Sequence, residues 1–262
     1  MPAIQTKSAR TETAVRVLLF DIESSPNVGY TWGRYDQNVI EFVKERQIMC
    51  FAWKWLGERE IHAFAAPMAK SYKKNPDDNR ELIVKLHEIV SQADVIIGHN
   101  IDDFDDKMSN TGFIKHGLKP PPPHRTVDTL KFARHKFRFN SNRLGDLGKF
   151  LGLGDKVRTG GFELWKECLD GNEKAWAKMV RYNKGDVRLL EKIYLKERPW
   201  MKNHPNMVDK GVAGCPACLS KSYQARGIAR FSGGYRYRFQ CQAEGCGKWF
   251  RGSIIEKVWN FK

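Results

Sequence analysis

The sequence lacks the two features that would place the chain in a membrane or in a secretory pathway. None of its apolar runs approaches the roughly 20 residues of a membrane-spanning helix. Residues 1–16 hold no apolar segment of the kind that a signal peptide needs, and we interpret residues 1–13 as a polar leader. These absences favour a soluble cytoplasmic protein and predict no membrane partner.

Acidic residues are scarce relative to basic ones. The 262 residues include 30 Asp and Glu against 45 Lys and Arg, so the formal net charge is +15. The last 62 residues are the most basic part, with 11 Lys and Arg against 3 Asp and Glu. A positive field of this size attracts polyanions, and nucleic acid is the commonest polyanion in the cytosol. Nucleic acid is therefore the expected partner, although charge alone would also suit an anionic membrane surface.

The order of sequence patterns indicates an α/β domain followed by a smaller one. Apolar, β-branched and aromatic runs predict strands over residues 14–24, 48–56, 60–66, 94–98 and 126–130. Helical spacing and caps predict helices over 77–90, from about 105 to 117, over 142–153 and over 172–198. This order predicts a mixed five-stranded sheet flanked by helices within residues 14–200. Residues 201–213 would form a linker, and residues 214–262 a small C-terminal domain.

Two carboxylates stand at the end of the first predicted strand. Asp21 and Glu23 are two residues apart, so on a strand their side chains project from the same face. Neighbouring carboxylates repel each other unless a cation lies between them, and a divalent metal ion is the usual one. The pattern alone is common, however, and a turn cap beside a solvated glutamate would explain it equally simply.

Two further acidic signals lie later in the chain. Asn100, Phe104 and Asp105 come directly after the buried strand 94–98, at the strand end where ligands gather in α/β sheets. Tyr182 and Asp186 are four residues apart in the last long helix, so a phenol and a carboxylate share one helix face.

In this order the motifs resemble the three exonuclease motifs of the DnaQ-like (DEDD) 3′→5′ exonucleases. The motifs are Phe20-Asp21-Ile22-Glu23, then Gly98-His99-Asn100 with Phe104-Asp105, then Tyr182-x-x-x-Asp186, and the resemblance covers roughly residues 14–198. A tyrosine four residues before the last aspartate is similar to the DEDDy branch, which includes proofreading domains of family-B DNA polymerases. The DEDDh branch would have histidine near position 181, where Arg181 and Tyr182 stand. The resemblance implies an RNase H-like fold.

The resemblance also implies a two-metal phosphodiester hydrolysis. Asp21, Glu23, Asp105 and Asp186 would hold two Mg²⁺ or Mn²⁺ ions, and Tyr182 would orient the attacking water. The expected substrate contacts near the scissile bond are Ile22, His99, Asn100 and Phe104. A structural role suits His99 somewhat better, and Asp128 would either orient a ligand or make a strand-end hydrogen bond. The neighbouring acids Asp102, Asp103 and Asp106 are interpreted as cap or surface residues.

Four cysteines near the C-terminus form two close pairs separated by a basic, aromatic stretch. The pairs are Cys215 with Cys218 and Cys241 with Cys246, a spacing typical of a structural Zn²⁺ site with four thiolates. Two disulfides are the competing interpretation, which the cytoplasmic setting disfavours. The stretch between the pairs resembles a zinc ribbon, in which Arg236 and Arg238 would contact nucleic-acid phosphates. Cys50 and Cys168 lie outside the pattern and are expected to be buried thiols.

These observations favour a stand-alone, metal-dependent 3′→5′ exonuclease acting on DNA, with single strands or 3′ ends as substrate and replication or repair proteins as conceivable partners. Two alternatives stay open. One keeps the fold but changes the activity to RNA or oligonucleotide degradation, or to structure-selective endonucleolytic cleavage. The other is a non-catalytic nucleic-acid-binding protein, which the intact set of acidic residues disfavours.

Overall fold

The structure is a computed structural model that describes residues 15–35, 38–156, 159–202, 204, 214–231 and 234–252. The leader predicted at residues 1–13 and most of the linker predicted at residues 201–213 lie outside the described residues. The described helices and strands follow in chain order. The strands are β1 (Val17–Ser24), β2 (Val28–Tyr30), β3 (Glu41–Lys44), β4 (Ile48–Trp55), β5 (His62–Ala65), β6 (Val95–Gly98), β7 (Arg125–Asp128), β8 (Tyr223–Phe231), β9 (Gly234–Cys241) and β10 (Trp249–Arg251). The α-helices are α1 (Arg80–Val90), α2 (Asp105–Lys115), α3 (Thr129–Lys136), α4 (Leu144–Phe150), α5 (Glu163–Leu169) and α6 (Glu173–Glu197).

The larger sheet has five strands in the order β5-β4-β1-β6-β7. The central strand β1 pairs antiparallel with β4 and parallel with β6, and β6 pairs parallel with β7. The prediction of a mixed five-stranded sheet flanked by helices is therefore confirmed. Because β1, β6 and β7 are parallel, their carboxyl ends share one edge of the sheet, and the first two acidic motifs follow β1 and β6 at that edge.

Alternation along β1 divides its side chains between two hydrophobic cores. Leu18, Phe20 and Ile22 face the core that contains α1, whereas Leu19 faces the core that contains α4. Helix α6 contributes to both cores, with Met179 in its first half packed in one and Leu190 in its second half packed in the other. The middle of α6 consequently passes over the edge of the sheet at which the first two acidic motifs lie.

The structure adds elements that the sequence patterns did not indicate. A small hairpin of β2 and β3 is inserted between β1 and β4, and the short helices α3 and α5 were not predicted. The strand predicted over residues 126–130 ends earlier, at Asp128, because the Asp128 side chain accepts a hydrogen bond from the Lys131 N–H and caps α3. Within the described residues, no helix is long and apolar enough to cross a bilayer.

The C-terminal residues form a separate three-stranded antiparallel sheet in the order β10-β9-β8. The four cysteines Cys215, Cys218, Cys241 and Cys246 gather at one end of it. Tyr223, Phe239 and Phe250 pack ring against ring on one face of the sheet. This arrangement is compatible with the predicted zinc ribbon.

Candidate active site

Three carboxylates converge where the carboxyl end of β1 meets the middle of α6. Asp21, Glu23 and Asp186 each offer one oxygen, and these three oxygens lie within 4.8 Å of one another. The strand period places Asp21 and Glu23 on the face of β1 that α6 covers. The sequence motifs thus identified three side chains that the fold brings to one point.

Asp105 lies beside this group, but it is not within the same 4.8 Å. It begins α2, is 3% exposed, and accepts a hydrogen bond through Oδ1 from the Ile22 N–H at 3.0 Å. Its negative charge is close enough to contribute to the raised pKa of Asp21. The structure therefore places the predicted fourth ligand next to the other three and anchors it to the backbone of the first motif.

The carboxylates are held in an environment that opposes their ionisation. Burial, reinforced by the neighbouring acids, raises the pKa of Asp21 well above its usual range and that of Glu23 from 4.5 to about 8. Burial also raises the pKa of Asp105 to about 7, although backbone hydrogen bonds oppose the rise. Clustered buried acids of this kind fit a site for divalent cations, which take oxygen ligands.

One oxygen of Asp186 supports the same interpretation. Its Oδ1 atom is buried and has no hydrogen-bond partner among the described residues. A buried polar atom without a partner costs free energy unless a ligand, an ion or water satisfies it. The donor set, three close carboxylates with one unsatisfied oxygen, therefore fits the Mg²⁺ or Mn²⁺ ions that the motifs imply.

The sequence analysis missed Lys156, whose ammonium lies against the acidic cluster. Its Nζ atom donates to Asp186 Oδ2 at 2.6 Å and to the Tyr182 hydroxyl at 3.2 Å. Burial lowers the pKa of Lys156, but the negative groups around it outweigh this and raise the pKa above its usual value. Lys156 belongs to the loop after α4 and to no periodic pattern, so no sequence signal distinguished it from other lysines.

Tyr182 stands one helical turn before Asp186 on α6. Burial and the charge of Asp186 raise the pKa of Tyr182 well above 10, and its ring makes an edge-on contact with Trp165 at 6.2 Å between centroids. The phenol therefore stays protonated at neutral pH. It can orient a water molecule by hydrogen bonding, but it is not a base that would take the water's proton.

Asn183 is a second residue that the sequence analysis did not identify. It is fully buried, and its Nδ2 atom donates to Asp21 Oδ2 at 2.6 Å and to the Asp21 carbonyl at 3.3 Å. Its Oδ1 atom in turn accepts a hydrogen bond from the Cys50 thiol at 3.5 Å. The amide thus fixes the orientation of the Asp21 carboxylate. Its place inside the Tyr182–Asp186 motif was the available signal, because it follows Tyr182 directly.

The expected substrate contacts occupy varied positions. The Ile22 side chain is 4% exposed in the core, and Phe104 packs partly buried against the same core. His99 uses both ring nitrogens within the fold, at 2.9 Å from the Thr129 hydroxyl and 2.8 Å from the Asn142 carbonyl. These contacts favour structural roles for Ile22 and His99, and contact of any of these side chains with substrate stays a prediction.

Asn100 and Asp128 connect the second motif to β7. Asn100 adopts a φ of 77°, a left-handed conformation that asparagine tolerates better than most residues. Its N–H donates to Asp128 Oδ1 at 3.1 Å, and Asp128 also caps α3. Of the two roles considered for Asp128, the strand-end hydrogen bond is therefore the one observed. It shapes the turn that leads to Asp105.

The four clustered cysteines have the geometry of a tetrahedral metal site. Their sulfur atoms lie within 4.8 Å of one another, at 3.7 Å for Cys215 with Cys246 and 3.5 Å for Cys218 with Cys241. Zn–S bonds of about 2.3 Å in a tetrahedron put sulfur atoms about 3.8 Å apart, whereas a disulfide needs about 2.05 Å. All four cysteines are free thiols, so the residues fit Zn²⁺ and disfavour the disulfide alternative.

Along β9, basic and aromatic side chains alternate between the two faces of the three-stranded sheet. Arg236 and Arg238 alternate with Tyr237 and Phe239 along β9, and Arg238 lies directly opposite Arg251 on β10. The predicted alternation is therefore present, and Arg251 extends the basic face beyond the two arginines that the sequence singled out.

Comparisons with known proteins agree with the fold. The model of the RNase H superfamily matches residues 18–196, so the chain belongs to the RNase H superfamily. Protein NEN3 of Arabidopsis thaliana is 33% identical over 79 residues, which are 29% of this chain and 15% of that protein. The family B DNA polymerase of the archaeon Pyrobaculum calidifontis superposes with a TM-score of 0.53 at 18% identity, over 74% of this chain and 26% of the polymerase.

The chain therefore spans only a small part of the relatives that it matches. The polymerase likeness shows the fold alone, since the identity is 18%. Membership of the RNase H superfamily supports a nuclease, and nucleases of this fold use divalent metal ions.

Proposed function

We propose that this protein is a metal-dependent 3′→5′ exonuclease of the DEDDy type that hydrolyses phosphodiester bonds of DNA. The observation that carries the proposal is the convergence of Asp21, Glu23 and Asp186 within 4.8 Å at the carboxyl edge of the sheet. The hydroxyl of Tyr182 stands beside this group, 3.2 Å from the Lys156 ammonium that also contacts Asp186. Two divalent cations bound here would stabilise the attacking and leaving oxygens and acidify the attacking water.

The protein's own residues would divide the remaining work. Asp21, Glu23, Asp105 and Asp186 would bind the cations, and Asn183 holds the Asp21 carboxylate in place. Tyr182 donates a hydrogen bond that orients the water, since its raised pKa keeps the phenol protonated. Lys156 supplies positive charge next to Asp186, and this charge would stabilise the negative charge that develops on a phosphate bound there.

The three-stranded sheet of β8, β9 and β10, which we call the cysteine-bound sheet, would bind the nucleic acid and take no part in cleavage. A structural Zn²⁺ on the four cysteines would stabilise a sheet too small to fold on its own core. The arginines of β9 and β10 would contact phosphates, which carry no sequence information, so cleavage should be independent of sequence.

The test is a time course on 5′-labelled single-stranded DNA and RNA of one sequence, with and without Mg²⁺. We expect a ladder of DNA products that shortens from the 3′ end and requires the metal. Asp105→Asn should abolish it, whereas Asp103→Asn, two residues away at an exposed position paired with Lys107, should not. This matched pair also tests which aspartate of the second motif is the ligand.

Other outcomes assign a different function. Faster degradation of the RNA strand would change the substrate, and cleavage of a circular single strand would change the reaction to an endonuclease. Binding without cleavage in the presence of Mg²⁺ or Mn²⁺ would contradict an enzyme altogether. It would leave a nucleic-acid-binding protein on a nuclease fold.

A further inference from the structure

A basic groove runs along the outer edge of β7, outside the acidic cluster. It encloses about 810 Å³ and is formed by β7, α3 and the segment that follows α6. We call it the β7 groove. Four of its side chains are Lys or Arg (Arg125, Lys131, Lys136 and Lys202), and two are histidines, His135 and His204. Trp200 forms part of the wall, is 57% exposed, and is held edge-on against Phe137 at 5.7 Å.

The positive charge of the groove is compensated only in part, since two carboxylates, Asp102 and Asp128, line it beside four Lys and Arg side chains. Lys131 is paired with Asp102 and Asp103, at 3.3 and 2.9 Å. Among the residues that the structure describes, Arg125, Lys136 and Lys202 form no ion pair. Cations placed along a groove, instead of around one point, suit an extended polyanion better than a single small anion.

The lining of the groove contacts both parts of the protein that are expected to meet nucleic acid. One lining residue is Asp128, whose carboxylate accepts a hydrogen bond from the Asn100 N–H of the second acidic motif. Another is Met201, whose carbonyl accepts a hydrogen bond from Lys248 of the cysteine-bound sheet at 2.5 Å. Along β7, Arg125 and Asp128 are about 10 Å apart at 3.3 Å per residue, a distance that two nucleotides can span.

We propose that the β7 groove binds the nucleic-acid strand upstream of the bond being cleaved, with phosphates on its basic side chains and a base against Trp200. The proposal rests on the proposed nuclease activity for its location, but strand binding can be measured separately. Stacking on an exposed indole is independent of base identity and suits an enzyme without sequence preference. A strand long enough to reach the groove should therefore bind more tightly than a shorter strand.

The competing occupant is a peptide. As the outermost strand of the sheet, β7 has an edge that could pair with an added strand, and basic side chains would suit an acidic one. Nucleic acid is favoured because Trp200 offers a stacking surface and because Asp128, which lines the groove, is hydrogen-bonded to the second acidic motif.

The experiment compares two double variants. Lys136→Gln with Lys202→Gln removes two groove cations, and Lys115→Gln with Lys174→Gln removes two exposed lysines outside the groove. Binding of a labelled 20-nucleotide strand is titrated by fluorescence anisotropy at several salt concentrations. An Asp186→Asn background keeps the strand intact. Zinc content and thermal unfolding confirm that each variant is folded.

We expect the groove variant to bind about 20-fold more weakly at 0.1 M salt, and its slope of log K against log salt to be lower by about 1.4, from two lost phosphate contacts on a single strand. Trp200→Ala should weaken binding by a further about 5-fold or more. With Asp186 intact, hydrolysis of bis(4-nitrophenyl) phosphate, too small to reach the groove, should stay within about twofold of the unmodified protein.

Equal affinities of the groove and control variants would overturn the proposal. So would unchanged strand binding together with lost binding of a poly-glutamate peptide, which would assign the β7 edge to a peptide. If the unmodified protein cleaves neither the small ester nor the strand, the proposed nuclease function fails instead. The anisotropy titration still decides whether the groove binds nucleic acid.

Discussion

Removing one charge from the acidic cluster should stabilise the metal-free protein while it abolishes activity. In Glu23→Gln the new side chain has nearly the same shape but cannot ionise. Burial and the neighbouring acids raise the pKa of Glu23 from 4.5 to about 8. At about 1.4 kcal/mol per pKa unit, ionised Glu23 destabilises the metal-free fold by roughly 5 kcal/mol at most. Because water entry and side-chain movement relieve part of this, we expect a gain of about 2–3 kcal/mol.

The sign of the pH dependence follows from the same pKa. The folded protein binds the Glu23 proton more tightly than the unfolded chain does, so protonation of Glu23 favours the folded state. This stabilisation is complete below pH 4.5. It is lost as the pH rises from 4.5 to about 8 and Glu23 ionises in the folded protein. The stability difference between Glu23→Gln and the unmodified protein should therefore be near zero at pH 4.5 and largest above pH 8.

The assay is urea unfolding of protein freed of Mg²⁺ on a chelating resin, at pH 5 and pH 8.5, repeated with 10 mM Mg²⁺. Glu197→Gln is the matched control, since burial also raises the pKa of Glu197 to about 8 and neither of its side-chain oxygens has a partner among the described residues. Both variants should gain stability at pH 8.5 without metal. Only Glu23→Gln should lose the stabilisation by Mg²⁺. Equal Mg²⁺ responses of the two variants would refute a metal site at Glu23.

Three further predictions concern single side chains. Lys156→Met should destabilise the metal-free protein by about 1–3 kcal/mol in the same urea assay and enlarge its stabilisation by Mg²⁺, because Asp186 loses its charged partner; an unchanged Mg²⁺ response would contradict this. Asn183→Ala should lower kcat at least tenfold in a strand-cleavage assay, since Asp21 loses the 2.6 Å hydrogen bond that orients it; full activity would show that the amide is dispensable. Cys218→Ser should reduce zinc from one atom per chain to none by elemental analysis, whereas Cys168→Ser, outside the cluster, should retain it.

The sequence predicted those parts of the fold that repeat a period or end in a cap. Strand β1 and helix α6 carry long apolar patterns. The helix predicted from residue 172 begins at Glu173, and the Asn172 side chain caps it by accepting a hydrogen bond from the Lys174 N–H at 3.0 Å. The β2–β3 hairpin has neither property. Most of its apolar side chains, such as Val28 and Phe42, are exposed, so no buried face imposes a period.

The candidate site was predictable to the extent that its residues lie in motifs of fixed spacing. Asp21 and Glu23 share one face because they are two residues apart on a strand. Tyr182 and Asp186 share one face because they are four residues apart on a helix. Lys156 reaches the same point from a loop, 30 residues away from Asp186 in sequence. A loop residue is brought to a site by tertiary structure alone, and a single sequence contains no periodicity that reports it.

The position of α6 explains why the acids remain together despite their repulsion. Its first half packs through Met179 in one core and its second half through Leu190 in the other, so moving the helix away from β1 would disrupt both. Burial of these apolar side chains stabilises the fold by about 1.5–3 kcal/mol each, enough in sum to offset the carboxylates that the same helix forces together. The packing of α6 therefore keeps the carboxylates close together. A cation, whether the Lys156 ammonium or a bound metal ion, reduces the repulsion between these carboxylates, which would otherwise destabilise the fold.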